Sequence, residues 1–280
     1  MYFEIRQIKI NYSFNLVAML RTTLLTAVVV CIITSCNNTN KNNNTATNTS
    51  AQTTTELVFE QKTITRQEGK CTGDAACVKT NIVYPQATDN NEAAKNINTL
   101  IEKTVASFLT VGETSPTNIQ IGLDEFFKSY NEFAKETPET LFWSLTADGK
   151  VIAQTPQNVT VQIYGYSFTG GAHPISMLSY LNFDAKTGNQ LKLTDFVTDS
   201  TALKQLAEKK FREQNQLAPN ASLEEAGFMF PDNKFILPAN IALAKDSLLL
   251  YYNPYEIASY AQGPTQMAIA YTELGNIIKK

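Results

Sequence analysis

One stretch of the chain, NVTVQIYGYSFTGGAHPISMLSYLNFDAKTGNQLKL, constrains the fold more than any other. It contains two strand-like runs on either side of a Gly-Gly-Ala-His-Pro turn, a pattern that predicts an antiparallel hairpin. Gly170 and Gly171 allow a tight turn with exposed backbone N–H groups. Pro174 restricts the residue before it, His173, to an extended conformation. Gly165 lies where the apolar alternation of the first run changes phase, and it predicts a β-bulge there.

The rest of the folded part is predicted to alternate between helices and strands. Apolar residues recur at helical spacing after Asp89 and again after Ser200. Asp89 and Glu92 have the spacing of a capping box, which marks a helix start. Asp148-Gly149 predicts a hairpin turn between two strands. Because helices and hairpins are segregated along the chain, we predict an α+β fold in which helices pack on an antiparallel sheet.

The N-terminus has the pattern of a secretion signal. An apolar run from Leu24 to Ile33 follows Arg21 and precedes Thr-Ser-Cys36. A positive residue, a short apolar segment and small residues at its end are typical of a signal peptide. The residues around Cys36 resemble the lipobox of bacterial lipoproteins, in which the cysteine is lipidated and becomes the new N-terminus. We therefore predict a lipoprotein signal over residues 1–36, with two alternative starts, Met1 and Met19; with the second, residues 1–18 are an over-called start. A permanent transmembrane anchor is the alternative.

A polar segment separates this signal from the globular part. Residues 37–55 are almost wholly Asn, Thr, Ser and Ala, a composition that predicts a disordered tether. Asn37 and Asn38 follow the lipidated cysteine without an acidic cluster, which favours the periplasmic side of the envelope over the cell surface. We divide the globular region into an N-terminal part, residues 56–156, and a C-terminal part, residues 157–280, that carries the hairpin.

Cysteine usage and charge narrow the class of protein further. Cys71 and Cys77 are separated by Thr-Gly-Asp-Ala-Ala, and in an oxidising compartment this spacing predicts a small disulfide loop. A redox or metal role for the pair is the alternative. The net charge is −3, without a basic stripe interleaved with aromatics, so nucleic acid is not an expected partner. With a single histidine the chain lacks an ordinary multi-histidine zinc site, and we expect neither a metal nor another cofactor.

The candidate ligand-binding residues are Tyr166, Gly170, Gly171, His173 and Tyr255. Three roles are open for the imidazole of His173: it contacts a ligand, it bonds a loop carbonyl and so fixes the turn, or it takes part in catalysis. No Gly-x-Ser-x-Gly motif occurs, and the paired carboxylates are neighbours in sequence rather than opposed. No catalytic residue is therefore predicted.

Other aromatic residues are candidates for either a recognition surface or the core. Trp143, the sole tryptophan, is predicted to be a core residue rather than a platform for a sugar. We expect at least half of the following rings to lie in the core: Tyr164, Tyr166, Phe168, Tyr251, Tyr252, Tyr255 and Tyr260.

Five segments carry a family resemblance: Ser167 to Pro174, Tyr180 to Asp184, Lys186 to Gly188, Leu193 to Phe196 and Leu248 to Ala261. Together they resemble an extracytoplasmic domain of unknown function that is shared by the anti-sigma factor RsiV and the peptidoglycan deacetylase PdaC. The resemblance covers roughly Leu57 to Tyr271. In the first of these proteins the domain binds lysozyme, and in the second the chemistry belongs to a separate domain. The resemblance therefore implies a binding or envelope-associated module.

Two functional hypotheses follow. The first is a lipid-anchored, non-catalytic binding module, held at the membrane through Cys36, whose partner is a lysozyme-like protein or peptidoglycan. The second is a hydrolase or deacetylase that acts on cell-wall glycan. An enzyme should have a pocket with clustered carboxylates near His173, whereas a binding module should have an exposed aromatic patch or protruding loops.

Overall fold

The computed structural model describes residues 56–72, 76–136 and 142–279. The predicted signal peptide, the predicted lipidation site Cys36 and the predicted tether at residues 37–55 lie outside these residues. None of the helices within the described residues is both long and apolar enough to cross a membrane.

Strands and helices alternate in groups along the described residues. The elements are β1 (Phe59–Gly69), β2 (Cys77–Ala87), α1 (Glu92–Phe108), α2 (Ile119–Glu136), β3 (Phe142–Gln154), β4 (Asn158–Phe168), β5 (Ile175–Asp184), α3 (Leu193–Phe196), α4 (Ser200–Gln214), β6 (Asn240–Leu243), β7 (Ser247–Tyr252), β8 (Thr265–Ala270) and α5 (Tyr271–Leu274), with single 3-10 turns at Pro231–Asn233, Tyr260–Gln262 and Gly275–Ile277.

The first five strands form one sheet in the order of the sequence. Three of its four strand pairs are antiparallel, and β2 with β3 is parallel. The parallel pair follows from the connection, because α1 and α2 lie between these strands and parallel neighbours need a long crossover. The predicted α+β fold is therefore confirmed, with a first sheet that is mixed.

Helices α1 and α2 cover one face of this sheet. Ile97, Ile101 and Val105 of α1 are fully buried, at the four-residue spacing that aligns side chains on one helix face. Phe126 and Phe127 of α2 are 1% exposed and join the same core.

The start of α1 differs from the prediction. Asn91 is the N-cap residue, and its side chain accepts a hydrogen bond of 2.8 Å from the backbone N–H of Ala94. The carboxylate of Asp89 instead accepts from the backbone N–H of Val58 at 2.8 Å. The predicted capping box at Asp89 is wrong because this side chain serves a tertiary contact.

The prediction of a hairpin turn at Asp148-Gly149 is also wrong, since β3 continues through both residues. A Cβ atom at Gly149 would lie 2.9 Å from Cδ of Pro85 on the neighbouring strand. The glycine is explained by this close approach between β2 and β3 rather than by a turn.

The predicted bulge at Gly165 is absent, because Gly165 pairs regularly with Ala147 and Met177. The register shift of β3 and β4 lies instead between Val151 and Ala153. A Cβ atom at Gly165 would lie 2.7 Å from Cγ of Phe108 at the end of α1. Gly165 thus makes room for a helix side chain.

Cys71 and Cys77 form the predicted disulfide, with their Cα atoms 5.1 Å apart. The bond ties the end of β1 to the start of β2, where Gly69 pairs with Cys77.

Asp184 ends β5 and organises the turn that follows. Its carboxylate accepts from the N–H of Lys186 at 3.0 Å, and from the N–H and hydroxyl of Thr187 at 2.8 and 2.9 Å. Burial opposes ionisation of this carboxyl, but the hydrogen bonds outweigh it and lower its pKa.

A second, antiparallel sheet contains β6, β7 and β8 in that order. Its core includes α4 and a set of aromatic rings from the segment between α4 and β6. The ring of Phe211 on α4 lies 4.8 Å from that of Phe228 and 5.4 Å from that of Phe230, both edge to face.

Two asparagine side chains, one on β6 and one directly after β7, cover β5, the edge strand of the first sheet. Asn240 accepts from the N–H of Tyr180 and donates to the carbonyl of Leu178, both at 2.7 Å. Asn253 accepts from the N–H of Leu178 at 2.7 Å. Because an edge strand presents unpaired backbone groups, these amides satisfy bonds that no further strand supplies.

Asn182 makes the reciprocal contact from β5 to the second sheet. Its Nδ2 donates to the carbonyl of Ile241 at 2.7 Å. Its Oδ1 accepts from the N–H of Leu243 at 2.9 Å and from the hydroxyl of Thr160 at 3.1 Å. The two sheets are therefore joined by amide side chains that act in place of backbone groups.

Candidate functional site

The loop between β4 and β5 carries the Gly-Gly-Ala-His-Pro motif. Gly170 and Gly171 have φ values of +87° and +91°, which side chains disfavour. This backbone path brings His173 to the surface at the end of the hairpin.

The imidazole of His173 is held from three sides. Its Nδ1 lies 3.0 Å from the carbonyl oxygen of Pro174, and its Nε2 lies 3.0 Å from the hydroxyl oxygen of Tyr255. The ring stacks on Tyr260 with centroids 3.9 Å apart and planes 15° apart. Because a carbonyl only accepts hydrogen bonds, Nδ1 donates, and in the neutral ring Nε2 then accepts from Tyr255. We call His173, Tyr255 and Tyr260 the His–Tyr cluster.

The two tyrosines come from the segment that follows β7. Tyr255 has a φ of +68° and is 56% exposed. Just before it, the backbone N–H of Asn253 donates to the carboxylate of Glu256 at 2.8 Å, which closes the turn. The same Asn253 bonds the edge of β5, so one residue fixes both the turn and its position over the hairpin.

A small core shared by both sheets contains two further tyrosines. Tyr180 and Tyr251 pack edge to face there, with centroids 6.3 Å apart. Burial raises the pKa of each of these two phenols.

The structure brings together some of the predicted site residues and separates others. Gly170, Gly171, His173 and Tyr255 lie at one end of the hairpin, whereas Tyr166 is half-buried on β4. Within the described residues, no ring contact joins Tyr166 to the His–Tyr cluster. Tyr260 was named only among the rings left open between a recognition surface and the core, and not among the candidate ligand-binding residues.

The missed residue was signalled by the second motif, Leu248 to Ala261, but the sequence gives no distance between segments. His173 and Tyr255 are 82 residues apart in the chain. Their contact depends on how the second sheet docks on β5.

The chemistry that the cluster offers is contact and hydrogen bonding. The carboxylate of Glu256 is engaged by the backbone of Asn253. In the part of the chain that the structure describes, no group of three His, Cys, Asp or Glu side chains could hold a metal ion. An exposed tyrosine ring with a tethered hydroxyl suits recognition of a surface with both apolar and polar groups.

Two family descriptions match consecutive parts of the chain. Residues 71–176 match the family described as deacetylase PdaC. Residues 194–272 match the protein family of unknown function DUF3298. The His–Tyr cluster joins these parts, since His173 belongs to the first and both tyrosines to the second.

Relatives and solved structures agree with this assignment. The chain is 25% identical over 163 residues to the peptidoglycan-N-acetylmuramic acid deacetylase PdaC of Bacillus subtilis, a match that covers 55% of this chain and 34% of that protein. The chain thus spans about a third of the length of this curated relative.

Two crystal structures of DUF3298 family proteins share the fold, each at 22% identity. The one from Pseudomonas aeruginosa PAO1 has a TM-score of 0.62 and covers 81% of this chain and 96% of its own. The one from Bacteroides fragilis has a TM-score of 0.57 and covers 80% and 95%. The predicted resemblance is confirmed: the chain contains a DUF3298/PdaC-like domain.

Proposed function

We propose that this chain, with a PdaC-like region followed by a DUF3298 region, is a non-catalytic binding module of the cell envelope whose ligand is peptidoglycan. The observation that carries the proposal is the His–Tyr cluster, in which an exposed tyrosine is fixed in place by an imidazole from the other family region. A ring that is already ordered loses little conformational entropy on binding, so its contact area contributes to affinity.

The ligand class is supported by the relative that shares the domain. That protein is named for its action on peptidoglycan. The part of this chain that matches the PdaC family, residues 71–176, includes the Gly-Gly-Ala-His-Pro loop. Tyrosine rings are suited to sugars, whose faces present C–H groups and whose rims present hydroxyls.

The same proposal includes attachment of the module to the membrane. Lipidation of Cys36 would hold the module on the membrane, on the periplasmic side, and residues 37–55 would let it reach the cell wall. A lysozyme-like protein is the alternative ligand, and a glycan hydrolase or deacetylase is the alternative function.

The proposal is tested with the chain from residue 56 onward, whose three cores are formed from its own side chains. The chain is incubated with purified peptidoglycan, and the mixture is sedimented. The peptidoglycan is then digested, and the masses of the released muropeptides are measured by mass spectrometry. We expect co-sedimentation with unchanged muropeptide masses. Loss of acetyl groups or cleaved glycan would establish the enzymatic alternative. Capture by immobilised lysozyme without co-sedimentation would assign the module to a protein ligand.

A further inference from the structure

A groove of about 490 Å³ lies on the first sheet, and none of the three residues of the His–Tyr cluster lines it. Its walls are the end of α1, the segment after it, and the adjoining ends of β3, β4 and β5. Its volume falls within the range of roughly 300–1,000 Å³ that is usual for small-molecule sites. Among the described residues that line it, none carries a charge.

One wall of the groove is apolar and open to solvent. Ile175 and Met177 are adjacent on the same face of β5, and they are 60% and 47% exposed. Helix α1 ends where Phe108 packs over Gly165, so this part of the sheet face is left uncovered. Both residues line the groove.

The opposite wall contains an unpaired donor. The indole ring of Trp143 is 6% exposed and packs against Phe126 and Tyr130, with centroids 5.5 and 5.8 Å away. Its Nε1 is the one buried side-chain nitrogen or oxygen, within the described residues, that has no hydrogen-bond partner. Leaving such a group unpaired costs about 1–3 kcal/mol, so its retention calls for an explanation.

The unpaired N–H lies beneath the glycine turn. The position that a Cβ atom would take at Gly170 is 3.8 Å from Nε1, and Thr169 next to it lines the groove. The atom is covered in this conformation. Gly170 and Gly171, both at positive φ, form the part of the wall above this atom. Because glycine has no side chain, this turn can change its backbone conformation without a steric barrier from side chains.

We propose that this groove binds the acetamido group of a neutral N-acetylated amino sugar. The carbonyl oxygen accepts from Nε1 of Trp143 once the glycine turn shifts, and the methyl group packs against Ile175 and Met177. The hydroxyls of Ser167 and Ser179 line the groove, and no described residue hydrogen bonds to either, so they are available to the amide N–H and the ring hydroxyls. A charged group would be desolvated against an uncharged lining, which disfavours anionic and cationic ligands.

The inference rests on the proposed function only in taking a glycan as the ligand, and it uses different residues. Because Trp143 is the sole tryptophan, its fluorescence reports directly on the groove. The chain from residue 56 onward is titrated with tri-N-acetylchitotriose, with cellotriose as the neutral sugar that lacks acetamido groups, and with N-acetylalanine methylamide as a peptide amide. We expect a saturable change in emission with tri-N-acetylchitotriose and none with cellotriose. The peptide amide carries an acetamido group without ring hydroxyls, and we expect it to bind more weakly than the chitotriose.

Two variants locate the contact. Trp143→Phe keeps an aromatic ring but removes the N–H, and we expect calorimetry to give about tenfold weaker binding, the loss of one hydrogen bond. Because Trp143 packs against Phe126 and Tyr130, circular dichroism checks that the variant is folded at the temperature of the titration. Met177→Ser should also weaken binding, whereas Met229→Ser, at a methionine that is 56% exposed elsewhere, should not.

Equal binding of cellotriose or of the peptide amide would overturn the assignment, and so would wild-type affinity in Trp143→Phe. Absence of chitotriose binding in a chain that still co-sediments with peptidoglycan would overturn this inference and leave the proposed function standing. Chitotriose binding that persists in Tyr255→Ala, with co-sedimentation lost, would support a groove independent of the His–Tyr cluster.

Discussion

Replacement of Asn182 by alanine tests the way in which the two sheets are joined. The side chain is 5% exposed and bonds Ile241, Leu243 and Thr160, all of which are buried. Asn182→Ala would leave one backbone carbonyl, one backbone N–H and one hydroxyl without this partner. At about 1–3 kcal/mol for each buried backbone group, with a smaller loss for the hydroxyl, we expect a loss of about 4 kcal/mol in the free energy of unfolding.

The assay is urea denaturation of the chain from residue 56 onward, followed by fluorescence and by far-ultraviolet circular dichroism. For a domain of this size, a loss of about 4 kcal/mol in the free energy of unfolding corresponds to a decrease in melting temperature of about 8–16 °C. Asn189→Ala is the matched control, because Asn189 is exposed, and it should change stability by less than about 0.5 kcal/mol. A loss below about 1 kcal/mol in Asn182→Ala would refute the account of the junction.

Further substitutions test three local features of the fold. Gly165→Ala should cost about 1–3 kcal/mol by overpacking against Phe108, and Phe108→Leu in the same chain should recover part of the melting temperature. Replacing Cys71 and Cys77 together by serine should lower the free energy of unfolding by about 2 kcal/mol, and a reducing agent should do the same to the wild type but not to the variant. The lowered pKa of Asp184 means that its contribution is present above its unfolded pKa of about 4 and is lost as the pH falls through the folded value. The difference in stability between wild type and Asp184→Asn should therefore shrink on acidification from pH 7 to pH 3, and a difference independent of pH would contradict this.

Sequence patterns predicted the parts of this fold that local chemistry determines. The stripe on α1 and the Cys71–Cys77 disulfide follow from periodicity and spacing, and both are observed. The glycines at 170 and 171 were expected to allow a tight turn, and both have positive φ in the loop between β4 and β5. Trp143 was expected in the core, and its ring is buried there.

Tertiary contacts decided the features that were predicted wrongly. Asp148-Gly149 and Gly165 have the local chemistry of a turn and a bulge, yet each glycine serves a close approach by a side chain from another element. Such an approach leaves no periodic signal. The parallel pairing of β2 with β3 likewise depends on where the crossover helices pack.

The sequence identified individual residues of the candidate site, but it did not predict which of them come into contact. Both motifs could be identified in the sequence, and Tyr255 and His173 were singled out from them. Their contact requires Asn253 to bond the edge of β5 from the second sheet. An amide that caps a distant strand has the same sequence appearance as an asparagine in an ordinary turn, so only the fold reveals its role.

The most direct test of the central claim is the bound fraction of Tyr255→Ala on purified peptidoglycan, compared with wild type and with Met229→Ala. Tyr255 and Met229 are both 56% exposed, so the two variants remove similarly exposed side chains. Removal of a contact residue at the centre of an interface costs about 2 kcal/mol or more, which is roughly thirtyfold in affinity. The account predicts that Tyr255→Ala loses binding to this extent at an unchanged melting temperature while Met229→Ala binds as wild type. Equal binding by all three chains would contradict it.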